Sequence, residues 1–481
     1  MANPTPQGTG DTAPPTPAIR GALAALSLAM LLSSLSTSIA NIALPTLAGV
    51  FAASFQQVQW VVLAYLLAIT TLIVSVGRLG DIIGRRRLLL AGLAVFTAGS
   101  ALCAAAPTLW FLVAARMAQG LGAAVMMALA IAFVGGTVPK GRTGSAMGLL
   151  GTMSAVGTAL GPSLGGLLIG GLGWRAIFFV NVPLGLLAFA LARRFLPADP
   201  VAPAAGRARF DTLGTLLLAG TLAAYALAMT IGRGHFDLLN AALLAAAILG
   251  CGLFIMAEAR VASPLVRLAA FRDAVLSGSL VMNAIVSMVM MATLVVGPFY
   301  LSRALGLSHA AVGLVMSVGP VISALAGIVA GRLVDRTGAP AMVVTGLAAM
   351  AAGATILSML PAASGIAGYI GGIAVLTPGY QLFQAANNTA VMVDVDPARR
   401  GVVSGLLSLS RNLGLITGAS MMGAVFALGS GAADVTTAAP GAVAAGLRFT
   451  FAIAATAIVA ALAVALGSSA FAKRARSAQR G

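Results

Sequence analysis

The chain has 481 residues, of which 60% are hydrophobic and 8% charged, with a formal net charge of +17. A soluble protein carries roughly a quarter charged residues, whereas no charged side chain occurs here between Gly21 and Gly77. The composition therefore excludes a soluble multidomain protein and predicts a polytopic helical membrane protein. The basic residues lie in small groups between apolar segments, as topology determinants do, and this placement argues against nucleic-acid binding.

Residues 1–20 form the first segment, which is rich in Pro, Thr, Gly and Ala. The segment lacks the basic start and the short apolar core of a cleaved signal peptide. We predict a disordered cytoplasmic tail, followed by a first helix that stays in the membrane as an uncleaved anchor.

Fourteen apolar runs follow the tail, each near the length of about 20 residues that a helix needs to cross the hydrocarbon core. The predicted spans lie near 22–44, 57–76, 87–106, 109–132, 144–169, 175–192, 211–231, 238–257, 275–301, 310–330, 341–360, 365–389, 403–427 and 449–471. When both termini are placed in the cytoplasm, most of the 28 basic residues fall in cytoplasmic segments, as the positive-inside rule requires. Arg116 and Arg411 fall within spans. Adding or removing one helix would destroy the unequal distribution of basic residues between the two sides, so this distribution supports a count of fourteen spans.

A motif recurs in the loops after the second and tenth spans, which read GRLGDIIGRRR and GRLVDRTG. Both copies follow G-R-L-x-D-x-x-G. The shared positions are Gly77, Arg78, Leu79, Asp81 and Gly84 in the first copy and Gly331, Arg332, Leu333, Asp335 and Gly338 in the second. A turn motif needed only for folding is one interpretation. The better one is a pair of homologous six-helix halves, as secondary transporters use.

This repeat predicts the domain organisation, because spans seven and eight become an insertion between the halves. The expected segments are a disordered cytoplasmic tail 1–20, an N-terminal six-helix half 21–195, two inserted helices with flanking cytoplasmic loops 196–272, a C-terminal six-helix half 273–472 and a basic cytoplasmic tail 473–481.

Several stretches spread over nearly the whole chain carry a family resemblance. They are ANIALP at 40–45, QWVVLAYLL at 59–67, GRLGDIIGRRR at 77–87, ARMAQGLGAA at 115–124, GTALGPSLGG at 157–166, WRAIFFVNVPLG at 174–185 and SGLLSLSRNLG at 404–414. In these stretches the chain resembles the major facilitator superfamily, and specifically its fourteen-helix drug:proton antiporter branch. The resemblance implies an all-α major facilitator fold and a multidrug efflux transporter of the bacterial cytoplasmic membrane, with both termini cytoplasmic.

The resemblance also implies roles for the repeated loops. In the family the first loop is a cytoplasmic latch that holds the two halves together in one conformation and releases them in the other. Asp81 and Arg85 match that pattern, and Asp335 is the counterpart in the second half. The glycines suit a hairpin with no room for bulky side chains.

The fifth span carries Gly157, Gly161 and Gly165 at every fourth residue, with Pro162 among them. Small residues at this spacing form a groove that lets another helix approach closely, and proline adds a bend point. Static packing is one interpretation. The resemblance identifies the stretch as the antiporter motif, at the sliding interface between halves.

Polar and charged residues inside spans are the remaining candidates. An arginine within a span is expensive and is usually paired or functional, although it can also snorkel to the interface. The resemblance implies that Arg116 is the proton-linked arginine, with Gln119 one turn along. Candidate cavity residues are Ser36, Asn41, Tyr65, Asn283, Gln381, Gln384, Asn387, Asn388 and Arg411. Interhelical hydrogen bonding explains such polar residues equally well, and Arg411 is near enough to the cytoplasm to snorkel.

One departure from the family pattern bears on mechanism. None of the eleven acidic residues falls at mid-membrane, and Ser36 stands where the resembled antiporters have an aspartate in the first helix. A serine neither titrates nor offers a counter-charge to a lipophilic cation. The embedded arginines therefore favour a neutral or anionic substrate.

Two functions remain open. One is an exporter of small organic molecules driven by proton antiport. The other is an exporter or facilitator for a neutral or anionic metabolite, with Arg116 as its anion contact and no membrane-embedded carboxylate. An enzyme is not expected, because Cys103, Cys251, His235 and His309 form no catalytic or metal-binding constellation. We expect no cofactor and no metal. The expected partners are a small-molecule substrate, protons and the lipid bilayer, and the resemblance implies a monomer.

Overall fold

The computed structural model describes residues 17–73, 75–137, 143–198, 211–231, 237–261, 273–361, 364–392, 400–432 and 434–478. Within these ranges the chain consists of helices joined by short turns, and no strand occurs. Residues 1–16 of the predicted tail lie outside the described residues. The first helix begins at Pro17, so residues 17–20 belong to that helix rather than to the tail.

The helices fall into two groups, long membrane spans and short segments beside them. Their bounds are α1 Pro17–Ile42, α2 Leu44–Val50, α3 Phe55–Ile73, α4 Val76–Ile83, α5 Arg85–Ala105, α6 Leu109–Thr137, α7 Thr143–Leu172, α8 Ala176–Phe179, α9 Asn181–Phe195, α10 Thr212–Thr230, α11 Leu238–Arg260, α12 Ala274–Phe299, α13 His309–Thr337, α14 Ala339–Ser358, α15 Gly365–Met392, α16 Arg400–Ser430 and α17 Pro440–Ala478. A π-helical turn, Tyr300–Ala304, extends α12.

Among the described residues, fourteen helices are long and apolar enough to cross a membrane, which confirms the predicted count. Because fourteen is even, the start of the first span and the end of the last span lie at the same end of the bundle, here called the terminal end, and the other end is called the distal end. The last span starts earlier than expected, at Pro440 rather than near residue 449.

Several spans begin at a polar residue that satisfies the free backbone N–H groups of a first helical turn. Asp211 accepts a hydrogen bond from Gly214 N at 2.8 Å, and Asp273 accepts one from Val275 N at 2.9 Å. Ser308 accepts one from Ala311 N at 3.4 Å. The chain thus marks the starts of α10, α12 and α13 with side chains that also end the preceding connection.

The two six-helix halves repeat one packing scheme. In the N-terminal half α1 packs on α7, α5 on α6, and α3 on α6. The equivalent helices of the C-terminal half do the same: α12 packs on α16, α14 on α15, and α13 on α15. Across the halves α7 contacts α13 and α3 contacts α16, which exchanges equivalent helices between halves. This is the two-fold pattern expected of homologous halves.

The inserted hairpin α10–α11 lies at the side of this arrangement. Helix α10 packs on α3 of one half and on α16 of the other, whereas the packing described for α11 is against α10. In the most apolar stretch of α11 only 11% of the residues are buried inside the protein. The hairpin therefore bridges both halves through one helix and leaves the other to the lipid.

The repeated motif is helical, not the pair of loops that the sequence predicted. Its first copy forms α4 and the start of α5, and its second copy forms the end of α13. The break comes at the last glycine of each copy, Gly84 with φ +100° and Gly338 with φ +87°. A side chain is strained at such φ values, so both copies end with a glycine because the chain must reverse direction there.

The three glycines of the predicted antiporter motif pack within their own half, whereas its proline lies at the contact between halves. A Cβ at Gly157 would lie 2.4 Å from Leu31 O, and one at Gly161 would lie 2.5 Å from the side chain of Ser38. Leu31 and Ser38 belong to α1. Pro162 and Gly166 of the same helix make contact between halves: a Cβ at Gly313 of α13 would lie 2.6 Å from Pro162 O, and one at Gly166 would lie 2.8 Å from Gly313 Cα.

Candidate functional site

A cavity of about 540 Å³ lies between the two halves. Its size is that of a pocket for a small organic ligand. Helices α1 and α7 contribute from the N-terminal half, and α12, α13, α15 and α16 from the C-terminal half. The lining residues are Met30, Gly151, Ser154, Thr158, Asn283, Pro320, Ser323, Ala324, Tyr380, Gln381, Gln384, Asn388, Met392, Leu407, Ser408 and Arg411.

The two halves are closed against each other at the distal end. Phe55 of α3 packs edge-on against Phe299 of α12 and Phe426 of α16, with ring centroids 4.8 Å and 5.4 Å apart. Gln59 Nε2 of α3 donates a hydrogen bond to Ala419 O of α16 at 2.7 Å. These contacts join the two halves near the distal end and are here called the distal seal.

The cavity lies on the terminal side of this seal. On α12 the cavity residue Asn283 precedes Phe299, and on α16 Arg411 precedes Phe426. Both helices run from the terminal end towards the distal end, because each is an odd-numbered span. The conformation is therefore closed at the distal end, with the cavity between that seal and the terminal end.

Ten of the sixteen described residues that line the cavity have polar side chains, and the others are apolar or glycine. Gln381 Nε2 donates hydrogen bonds to the Ser323 carbonyl and hydroxyl, and Gln384 Nε2 donates to Tyr380 Oη at 3.1 Å. Among the described lining residues, Arg411 is the one with a charged side chain, and no carboxylate is present. The wall thus offers amides, hydroxyls and one cation to a ligand.

Two of these groups have hydrogen-bonding capacity left over. Asn283 is 3% exposed; its Nδ2 donates to Leu407 O at 2.9 Å, while its Oδ1 has no donor among the described residues. Arg411 is exposed to the cavity and has no ion-pair partner among the residues that the structure describes. A buried acceptor without a donor is costly, so Asn283 Oδ1 is suited to accept a hydrogen bond from a ligand, and the exposed Arg411 is suited to donate to one.

Arg116 lies elsewhere, fully buried inside the N-terminal half. Its Nε donates to Val61 O at 2.9 Å, its Nη1 to Gln119 Oε1 at 2.5 Å and its Nη2 to Ser36 O at 3.3 Å. The guanidinium also stacks on the Tyr65 ring, 4.1 Å from the centroid. Carbonyls, an amide and an aromatic face therefore stabilise this charge in place of a carboxylate.

Gln119 and Ser36 complete that cluster. Gln119 Nε2 donates to Ser36 Oγ at 3.3 Å and to Ser100 Oγ at 2.7 Å. Ser36, which is aligned by the resemblance with an aspartate of the drug:proton antiporters, is thus a hydrogen-bond acceptor in a network joining α1, α3, α5 and α6. Since Arg116 does not reach the cavity in this conformation, the predicted anion contact through Arg116 is not made here.

The predicted cavity residues divide into two sets. Asn283, Gln381, Gln384, Asn388 and Arg411 line the cavity. The other four are buried and lie off its wall. Ser36 and Tyr65 belong to the Arg116 cluster, Asn41 Nδ2 donates to Thr37 O at 2.8 Å, and neither polar atom of Asn387 has a partner among the described residues.

Sequence reasoning missed the lining residues Ser154, Thr158, Ser323, Tyr380 and Ser408. Hydroxyl residues are common in any membrane helix and carry little signal by themselves. Helical spacing was the signal that could have found them. Ser154 and Thr158 are four residues apart, and Ser408 stands three before Arg411, so each pair shares one helix face.

The latch residues are only partly described. The side chains of Arg78 and Asp81 lie outside the described residues, and Arg85 is exposed at the start of α5. In the second copy Arg332 and Asp335 are both exposed. No group of His, Cys, Asp and Glu side chains that could hold a metal occurs among the described residues.

Comparison with known proteins agrees with this architecture. The sequence profile of the Major Facilitator Superfamily matches residues 26–419. The chain belongs to this superfamily. Its members are transporters, and the chain is therefore a transporter rather than an enzyme.

Two solved structures resemble it in fold. The bacterial homologue of the human lysosomal transporter Spinster, in an inward-facing, unoccupied conformation, has a TM-score of 0.68 at 18% identity, covering 96% of this chain and 99% of that one. A single-residue mutant of the nucleoside transporter NupG has a TM-score of 0.65 at 12% identity, covering 94% and 99%.

Relatives of closer sequence confirm the resemblance to the drug:proton antiporter branch of the superfamily. The Riboflavin transporter RibZ of Clostridioides difficile (strain 630) is 31% identical over 84% of this chain and 87% of its own length. The Multidrug resistance protein Stp of Mycobacterium tuberculosis (strain CDC 1551 / Oshkosh) is 32% identical over 84% and 75%. The Drug efflux pump JefA of the same strain is 32% identical over 88% and 84%.

Proposed function

We propose that this transporter exports small organic molecules across a bacterial cytoplasmic membrane by alternating access. The observation that carries the proposal is the polar cavity between two homologous halves, closed at one end by contacts between Phe55, Phe299 and Phe426. A site enclosed between halves that rock against each other is how such transporters expose a substrate to one side at a time. Relatives named as drug efflux pumps and multidrug resistance proteins support the outward direction.

The orientation and the domain boundaries belong to the same proposal. The distribution of basic residues supports two cytoplasmic termini, which makes the terminal end cytoplasmic and the cavity inward-facing. Exposed latch residues such as Arg332 and Asp335 fit a latch that is released in this conformation. The chain works as a monomer in this account, with halves at 21–195 and 273–472 and the inserted segment 196–272 between them.

Proton antiport is the proposed energy source. The titrating acid cannot be one of the described cavity residues, since the lining holds no carboxylate. Buried acid occurs instead at Glu258, 2% exposed near the terminal end of α11, and the latches supply Asp81 and Asp335. Coupling would then act through movements of the terminal end, away from the substrate.

A second candidate is an exporter or facilitator for a neutral or anionic metabolite that uses no membrane-embedded carboxylate. The absence of a carboxylate from the described cavity lining favours it. A relative named as a riboflavin transporter supports a polar substrate that is not a lipophilic cation.

Proteoliposome transport separates the candidates. A cationic dye, a neutral drug and an organic anion are offered in turn, with and without an imposed pH gradient. Uptake that follows the gradient supports antiport. Uptake of only the neutral or anionic compound, at the same rate without the gradient, supports the second candidate. Uptake of no compound above protein-free liposomes refutes both.

A further inference from the structure

The substrate class can be argued from the cavity wall, provided that the proposed function holds and the cavity is the substrate site. We infer that the cavity binds small organic anions through Arg411, and that an N–H or O–H group of the same molecule donates a hydrogen bond to Asn283 Oδ1. Both groups line the cavity from adjacent helices, α12 and α16.

Arg411 places a positive charge in the cavity wall. Arg411 is an exposed guanidinium with no carboxylate partner among the described residues. It lies about five residues, or roughly 8 Å along the helix axis, inside the apolar stretch of α16 that begins at Leu406,. The arginine side chain presents a planar fork of N–H donors that matches a carboxylate or phosphate. The field inside a cavity with low-dielectric walls concentrates anions and repels cations.

Asn283 places an unsatisfied hydrogen-bond acceptor in the cavity wall. Asn283 Nδ2 donates one of its two N–H groups to Leu407 O, at 2.9 Å, and this bond fixes the direction of its Oδ1. That oxygen is a buried acceptor with no donor among the described residues. A ligand with a hydroxyl, amine or amide N–H satisfies it, whereas a ligand that carries only acceptors does not.

The alternative role for Arg411 is snorkelling, in which the side chain leaves the membrane for the aqueous interface. Its place among the cavity lining residues argues against that role. Arg116 cannot bind an anion in this cavity, since its guanidinium is fully buried and donates hydrogen bonds to Val61, Gln119 and Ser36. Anion recognition in this cavity therefore depends on Arg411.

Thiol labelling measures this field without a known substrate. Ser408 lies three residues before Arg411 on the same helix face and also lines the cavity. Ser408→Cys is placed in the full chain with Cys103→Ala and Cys251→Ala, purified and labelled with an anionic sulfonatoethyl or a cationic trimethylammonioethyl methanethiosulfonate. The ratio of the two rates cancels the reactivity of the thiol itself and reports the local potential.

We expect the anion-to-cation rate ratio to exceed that of a free thiol by roughly tenfold, the effect of one unit charge at about 6 Å in a largely aqueous cavity. Arg411→Gln should abolish the excess and Arg411→Lys should keep most of it. Arg303→Gln is the matched control, because it removes the same charge from an exposed position at the distal end, outside the cavity. A ratio that Arg411→Gln leaves unchanged overturns the inference.

Protection from labelling tests the ligand class. The probes are 6-hydroxy-2-naphthoate, 6-hydroxy-2-naphthamide and 2-naphthoate. We expect 6-hydroxy-2-naphthoate to protect the introduced thiol best. In Arg411→Gln the hydroxynaphthoate and the hydroxynaphthamide should protect equally, because the charge that favours the carboxylate is gone. In Asn283→Leu the hydroxynaphthoate and 2-naphthoate should protect equally, because the acceptor for the hydroxyl is gone. Carboxylate and amide protecting equally, or neither protecting, overturns the inference. Labelling needs no gradient, so a chain that transports only a cation or a neutral compound retains the proposed function while this inference fails.

Discussion

The contact between Gly166 of α7 and Gly313 of α13 offers a sharp test of the distal seal. A Cβ at Gly166 would lie 2.7 Å from His309 O and 2.8 Å from Gly313 Cα. Both are backbone atoms, so no side-chain rotation relieves the overlap. Gly166→Ala therefore forces α7 and α13 apart by roughly 0.6 Å, at a cost of about 1–3 kcal/mol to the conformation that holds them together.

That cost falls on one conformation only, because α7 and α13 belong to different halves. The equilibrium should shift towards the state open at the distal end by roughly 5- to 150-fold. The assay is the rate at which a membrane-impermeant thiol reagent, added on the distal side, modifies the thiol introduced by Ser408→Cys. We expect that rate to rise with the population of the distally open state.

Gly170→Ala is the matched control for this prediction. Gly170 is in the same helix, and a Cβ there would meet no atom within 4 Å. It should leave the labelling rate unchanged. If Gly166→Ala and Gly170→Ala label at the same rate, the Gly166 contact is not part of a seal between moving halves, and the reasoning fails.

Three further predictions concern stability, each measured as the free energy of unfolding in detergent. Gly161→Ala, which overlaps the Ser38 side chain, should lower it by about 1–3 kcal/mol, whereas Gly171→Ala, in open space on the same helix, should not. Gln119→Leu removes the amide that joins Arg116 to Ser100 and should cost about 1–3 kcal/mol; no change would show that the network is dispensable. Gly338→Ala, at φ +87°, should cost about 1–2 kcal/mol, and equal stability to wild type would contradict the strain argument.

The number and order of the spans could be predicted from the sequence, because a stretch of apolar residues long enough to cross a bilayer is a strong local signal. The conformation of the repeated motif could not. Its glycines and charged residues indicated a loop, yet only Gly84 in the first copy leaves the helix. Glycine permits a turn at every position where it stands, and the fold uses a positive φ at just one position in each copy.

The sequence could not predict which face of each span meets the cavity. Asn387 and Asn388 are neighbours, but Asn387 is fully buried and Asn388 faces the cavity. Adjacent helical residues point about 100° apart, and only the packing of α15 against its neighbours decides which of the two meets a ligand. The same holds for the two arginines, since Arg116 is enclosed by its own half and Arg411 is exposed between halves.

The most direct test of transport through this cavity is to lock the distal seal reversibly. Gln59 and Gly423 lie against each other across the halves, since a Cβ at Gly423 would overlap the Gln59 amide. Gln59→Cys with Gly423→Cys, in the chain with Cys103→Ala and Cys251→Ala, is cross-linked by a short reducible bifunctional reagent and assayed for uptake in proteoliposomes. The account predicts that uptake stops on cross-linking and returns on reduction. Uptake that continues at the same rate with the seal locked would contradict alternating access through this cavity.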